Sequence, residues 1–281
     1  MLRQKKFVIA VCAALLVTAG ITVQPVKAAI SSTLSIFRVE KMKGITVTLE
    51  DIQQIQQKLS SGKGEISLDK IGSIKMQGGD NRSASQEDVK NLPDIDVEFP
   101  SHLGSAIPSI NIVEPRSVDF TLNAKNVNQI MKSYGSTKLL PENIDGKTFK
   151  VNFTSQVTMN YRINDKLINI TQTKSPEIIV PKDVNVDELY NAIIDMPIIP
   201  QDLQSQLKSI KDWKNALYIP VVDSKMTQVD INGAKGYMTK DYGNSEGTHE
   251  SAVIWYDKGV IYVVSGEIEN GEILNIARSM R

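Results

Sequence analysis

Three pairs of residues, Asn164-Asp165, Asn232-Gly233 and Lys258-Gly259, constrain this chain more than anything else in it. Each stands alone between two runs in which apolar and polar residues alternate: "KTFKVNFTSQVTMNYRI" before "KLINITQT", "TQVDI" before "AKGYMT", and Ser251–Asp257 before Val260–Ser265. Alternation with a period of two places successive side chains on opposite faces of an extended strand. A connection of only two residues between such runs requires left-handed backbone, which asparagine, aspartate and glycine tolerate best. The runs must therefore double back as antiparallel hairpins with one buried face.

Helical stripes interrupt the strands. Thr48-Leu-Glu-Asp51 has the form of a capping box, and Leu49, Ile52, Ile55 and Leu59 follow on one face before Gly62. Ser85-Gln-Glu-Asp88 opens a short helix that Pro93 stops, and Asn123 caps a helix bearing Val127, Ile130, Met131 and Tyr134. Asn185 caps another, "MPIIP" breaks it, and "QDLQSQLKSI" resumes. The chain closes on a helix with Ile273, Ile276, Ala277 and Met280 in register. This inventory predicts an α+β protein: a curved, mostly antiparallel sheet with amphipathic helices on one face. In layout alone such a sheet is similar to the half-barrel of lipoprotein carriers. The predicted division is a signal peptide over 1–28, an N-terminal α+β subdomain over 29–93, an extended proline-containing connection over 94–115, and a C-terminal α+β domain over 116–281.

The leader sets the expected compartment. Arg3, Lys5 and Lys6 precede an uncharged apolar run from Phe7 to Thr22, and Pro25 and Val26-Lys-Ala28 follow. A basic start, a short apolar core and small residues at the exit make a secretory signal peptide, with cleavage expected after Ala28. An uncleaved anchor is the alternative, and would be the chain's single attachment to a membrane. Cys12 does not suit lipid attachment, because Val11 precedes it where a small residue is needed. The full chain carries 32 basic and 32 acidic side chains; loss of Arg3, Lys5, Lys6 and Lys27 leaves 28 basic against 32 acidic. So mild a negative balance gives no electrostatic reason to bind nucleic acid or an anionic surface. Cys12 is also the chain's one cysteine, so the mature protein has no disulfide and depends on its apolar core.

Reactive motifs are scarce. The two histidines, His102 and His249, are isolated from any metal-ligand spacing. Asp94, Asp96 and Glu98 alternate and read as a solvated strand face. Ser205-Gln-Leu-Lys208 matches Ser-x-x-Lys only formally, without its companion motifs. Ser245, Glu246 and His249 gather in a polar loop that any turn between strands could contain. No catalytic residue, cofactor or metal ligand is assigned. Trp255 and Tyr256, adjacent on a strand, point to opposite faces; Trp255, with Tyr262 on the next strand, is either a core anchor or a ligand-facing aromatic.

Trp255, Gly259, Tyr262, Gly266, Ile273, Ile276, Ala277, Ser279 and Met280, with the upstream "VDINGAKGYM", form a recurring C-terminal signature. Over about residues 226–280 the chain resembles a bacterial extracytoplasmic domain-of-unknown-function family often attached to anti-sigma-factor-like membrane proteins. The resemblance implies a Gram-positive cell-envelope protein of sensor or carrier type. Its marks are apolar, glycine and cap positions, which specify folding rather than chemistry. Only six residues precede the apolar leader, so the cytoplasmic part of an anti-sigma factor is not expected. The expected function is an exported, non-enzymatic binding or sensing protein whose ligand is an apolar small molecule or a segment of an envelope protein. An envelope hydrolase of unknown substrate is the alternative.

Overall fold

The computed structural model describes residues 34–38, 40–61, 68–222, 226–239, 242–243 and 249–280. The first part of the chain holds strands β1 (Leu34–Arg38) and β2 (Lys41–Val47), helices α1 (Leu49–Ser61) and α2 (Leu68–Ile71), strands β3 (Gly72–Gly78) and β4 (Asn81–Ala84), and helix α3 (Gln86–Lys90). Next come β5 (Ser109–Val113), β6 (Arg116–Leu122), α4 (Ala124–Ser133), β7 (Thr148–Phe153), β8 (Gln156–Ile163), β9 (Lys166–Lys174) and β10 (Glu177–Pro181). The last part holds α5 (Val186–Ile194), α6 (Gln201–Ser209), β11 (Ala216–Val222), β12 (Met226–Ile231), β13 (Ala234–Thr239), β14 (Tyr242–Gly243), β15 (His249–Asp257), β16 (Val260–Gly266) and α7 (Asn270–Arg278). The protein is a mixed α+β fold with large, mostly antiparallel sheets, as the alternation predicts. Neither large sheet closes into a barrel: one runs β1-β10-β7-β6-β3, the other β12-β13-β15-β16-β9-β8-β5-β4.

The three two-residue turns form as their sequences require. Asn164 and Asp165 take φ of 49° and 62°, Asn232 and Gly233 53° and 91°, and Lys258 and Gly259 46° and 89°. Positive φ at both central residues is the hairpin turn whose twist matches that of its strands. Ile163 is thereby set opposite Lys166, Ile231 opposite Ala234, and Asp257 opposite Val260. A β-branched side chain at such a position is strained, so Gly233→Val should lower stability by about 2 kcal/mol. Urea unfolding measures this; an unchanged midpoint would mean that the turn does not fix the register.

The chain divides into two compact units, each woven from three stretches. Among the described residues, one takes those up to Met76, Val118–Asn152 and Glu177–Pro220; the other takes Gln77–Ser117, Phe153–Pro176 and those from Val221 onward. These units do not follow the sequence division at 29–93, 94–115 and 116–281. The physical reason is antiparallel pairing between distant strands, which stitches remote stretches into one sheet. The expected connection over 94–115 lies wholly inside the second unit, where Ser109–Val113 is strand β5 between β4 and β8.

In the first unit Tyr190, Ile194, Leu203, Leu207 and Tyr218 make a core around α5 and α6, with Tyr190 stacked on Trp213 at 3.9 Å. In the second, α7 lays Ile273, Ile276 and Ala277 into a core with Val253, Trp255, Tyr262 and Val264 of β15 and β16. Each such fully buried aliphatic side chain contributes about 1.5–3 kcal/mol over its exposed state. The predicted signal peptide lies outside the described residues. Among those described, no helix is long and apolar enough to cross a membrane.

Candidate functional site

The first unit contains a cleft of about 620 Å³. Its walls include Asp51, Gln54, Lys58, Asp195, Asp202 and Gln204. Asp51 is placed by the capping box at the start of α1: its Oδ2 accepts from Thr48 N and Thr48 Oγ1, both at 2.8 Å, and Thr48 Oγ1 accepts from Asp51 N at 3.0 Å. The opposite wall is the break between α5 and α6. There Gln204 Nε2 donates to Ile199 O at 3.0 Å and to Met196 O at 3.3 Å. Lys58 Nζ donates to Pro197 O at 2.5 Å. "MPIIP" thus ends one helix and becomes a rigid lip, its Ile198 and Ile199 turned into the core.

Asp195 sits at the C-terminal end of α5, held between the ammonium groups of Lys138 and Lys208. Burial pushes its carboxyl up, but the hydrogen bonds and charges of the two lysines outweigh that and hold it below the usual carboxylate range. A depressed folded pKa means that the stabilisation is present above the ordinary aspartate value and is lost as pH falls through the lower, folded value. Asp195→Asn should therefore cost about 1 kcal/mol at neutral pH, and its difference from the parent should vanish in strong acid. Urea melts across pH test this; a difference constant with pH would assign the effect to packing instead. Carboxylates, amides and an ammonium group line the cleft, a set suited to hydrogen-bonding a polar ligand.

The second unit carries the aromatic pair singled out in the sequence. Trp255 and Tyr262 are 3% and 4% exposed and lie opposite each other on β15 and β16. Their rings stack with centroids 4.8 Å apart and planes within 6°. Both belong to the apolar core, while neighbouring Tyr256 is partly exposed. Beside Tyr262 is the Glu98 carboxyl. Burial pushes it up, and the nearby Asp257 carboxylate adds to this; Lys258 and the Tyr262 hydroxyl pull the other way. Burial and the same carboxylates push the Tyr262 hydroxyl well up, so it stays protonated and can donate to Glu98.

The remaining sequence candidates do not converge. Asp94 accepts from Ser155 N at 2.6 Å, Asp96 is exposed and Glu98 is half-buried, so the three alternating carboxylates do not make one solvated face. His102 Nε2 lies 3.0 Å from Glu272 Oε1. Ser205 Oγ donates to Gln201 O at 2.9 Å, and Lys208 is engaged by Asp195. Ser245 and Glu246 lie outside the described residues, and His249 begins β15. Among the described residues, no group of three or more His, Cys, Asp or Glu is placed to hold a metal ion.

Sequence reasoning passed over Gln172, which is fully buried. Its Oε1 accepts from Glu98 N at 3.0 Å and its Nε2 donates to Glu98 O at 2.7 Å, as a neighbouring strand would. A signal was present: in β9 the inward positions read Ile168, Ile170, Gln172. An amide in the apolar phase of an alternating strand must find buried partners.

The C-terminal hairpins, the aromatic pair and α7 are also where the chain matches a family model. Residues 182–280 match a domain of unknown function, DUF4367. No curated protein matches the chain. The DUF4367 match begins after β10 and takes in Asp195, Asp202 and Gln204 of the cleft as well as Trp255 and Tyr262. Asp51 and Lys58 of the cleft, and Glu98 and Gln172 of the second unit, lie outside it.

Proposed function

We propose that this chain is an exported, non-enzymatic binding or sensing protein of the bacterial cell envelope, which holds a polar segment of a partner protein in the cleft of its first unit. The observation that carries this reading is the preformed polar wall: Asp51, Lys58, Asp195 and Gln204 are already fixed by hydrogen bonds or ion pairs. A site whose side chains are held in place loses little entropy when it binds. An apolar small molecule is less well supported, because Trp255 and Tyr262 spend their faces on each other. The leader supports export, and the resemblance to domains attached to anti-sigma-factor-like proteins supports sensing.

Photo-crosslinking tests the reading. A photoreactive side chain placed at Gln54 or Gln201 in the full chain, expressed in its native host, should capture one defined envelope protein, and Asp202→Lys should abolish the capture. No adduct at either position, or one indifferent to Asp202→Lys, would overturn it. The Glu98 carboxyl, pushed up by burial and by the nearby Asp257, favours a second reading, a hydrolase using one carboxyl as general acid and the other as base. That reading requires turnover of a glycan or peptide substrate, lost in Asp257→Asn with thermal melting unchanged.

A further inference from the structure

We propose that Asp94–Leu103 is a releasable strap across the core of the second unit, latched by Gln172 and drawn tight when Glu98 takes up a proton. The segment follows α3 and carries no ladder of its own up to the bridge at Pro100. It nevertheless covers apolar ground: Ile95 is 3% exposed, and Val97, Phe99 and Leu103 pack against the same cluster as Trp255 and Tyr262. Three separate fastenings hold it. Asp94 takes Ser155 N at one end; Gln172 grips both backbone groups of Glu98 at the middle. At the far end Pro100 bridges to Met280, Ser101 N donates to Ser279 O at 3.3 Å, and His102 meets Glu272. A segment tied at points can lift as a unit, whereas a laddered strand must break its bonds in series.

The Glu98 carboxyl lies at the middle fastening. It faces Asp257 at the end of β15, Lys258 from the turn that follows, and Tyr262 from β16. Asp94 and Asp96 are the other acids on the strap; His102 with Glu272 of α7 is its other titratable contact. Ionised, the half-buried carboxylate loses hydration and meets the charge of Asp257; protonated, it avoids both penalties. The closed strap therefore binds the Glu98 proton more tightly than the lifted strap. Closure takes up a proton, so the strap tightens as pH falls through the raised value and loosens as pH rises above it. This device is independent of what the first unit's cleft binds.

Hydrogen exchange of the full chain tests the strap, in a His102→Gln background that removes the second titrating contact. Protection factors for peptides within 94–103, corrected for intrinsic exchange, should be several-fold higher at about pH 4, below the ordinary glutamate value, than at about pH 8. Peptides from β16 should not change. Glu98→Gln should hold the strap at its acid level of protection at both pH values, and Asp257→Asn should shrink the difference. Equal strap protection at the two pH values would overturn the proposal. So would a pH dependence that survives Glu98→Gln.

Discussion

Trp255→Ala should unfold with a urea midpoint lowered by the equivalent of about 3–5 kcal/mol, the range for removing a buried large aromatic side chain. The indole is almost wholly enclosed, stacks on Tyr262 at 4.8 Å, and shares its core with Val253, Val264 and the inward face of α7. Alanine leaves a cavity that the surrounding strands cannot close, because ladders on both sides of β15 and β16 fix their separation. A domain is stable by only about 5–15 kcal/mol, so the loss is a large share of the total. Trp255→Phe, which keeps a ring against Tyr262, should lose markedly less. The opposite outcome is equally informative. If Trp255→Ala left the midpoint in place while abolishing capture of a ligand, the aromatic pair would be a binding surface and its placement in the core would be wrong.

Gln172→Leu carries the second large expectation. Leucine is comparable to glutamine in bulk and is the better residue for an inward position of β9 by hydrophobicity alone. It nevertheless leaves the N–H and C=O of Glu98 without partners beneath the strap. Each unsatisfied buried backbone group costs about 1–3 kcal/mol, so the pair should cost at least about 2 kcal/mol and up to about 6 kcal/mol. The loss is capped at what strap closure contributes, since the chain can escape further cost by lifting the segment. Faster exchange over 94–103 should therefore accompany the fall in midpoint. An apolar replacement that stabilised the protein would show that water, not Gln172, satisfies Glu98.

These two positions also show how much could be read from the chain. The hairpins were legible because a two-residue turn at positive φ admits few residue types, and Lys258-Gly259 alone sets Trp255 opposite Tyr262. The α1 cap was legible for a similar local reason, since Thr48 and Asp51 satisfy each other within one turn. Strand β5 was not. "SINIV" stands between Pro108 and Pro115 and reads as part of a linker, yet Ile110 and Ile112 are inward residues of a paired strand. The Gln172–Glu98 clamp joins residues 74 apart, and no local pattern announces such a partner. The cleft was beyond reach for the same reason: Asp51 and Asp195 meet only because strands far apart in the chain assemble one unit.

The weaving of the chain bears on what the recognisable stretch can do by itself. Residues 182–220 of the DUF4367 match belong to one unit and 221–280 to the other. On the side away from β15, the ladder neighbour of β16 is β9, which the match leaves out. Cut free, residues 182–280 would bare the β9-facing amides and carbonyls of Val260–Gly266 on a strand rich in valine and isoleucine, and such an edge recruits copies of itself into aggregates. Here the recognisable stretch is thus no transplantable module, because part of its sheet is supplied by a strand that precedes it.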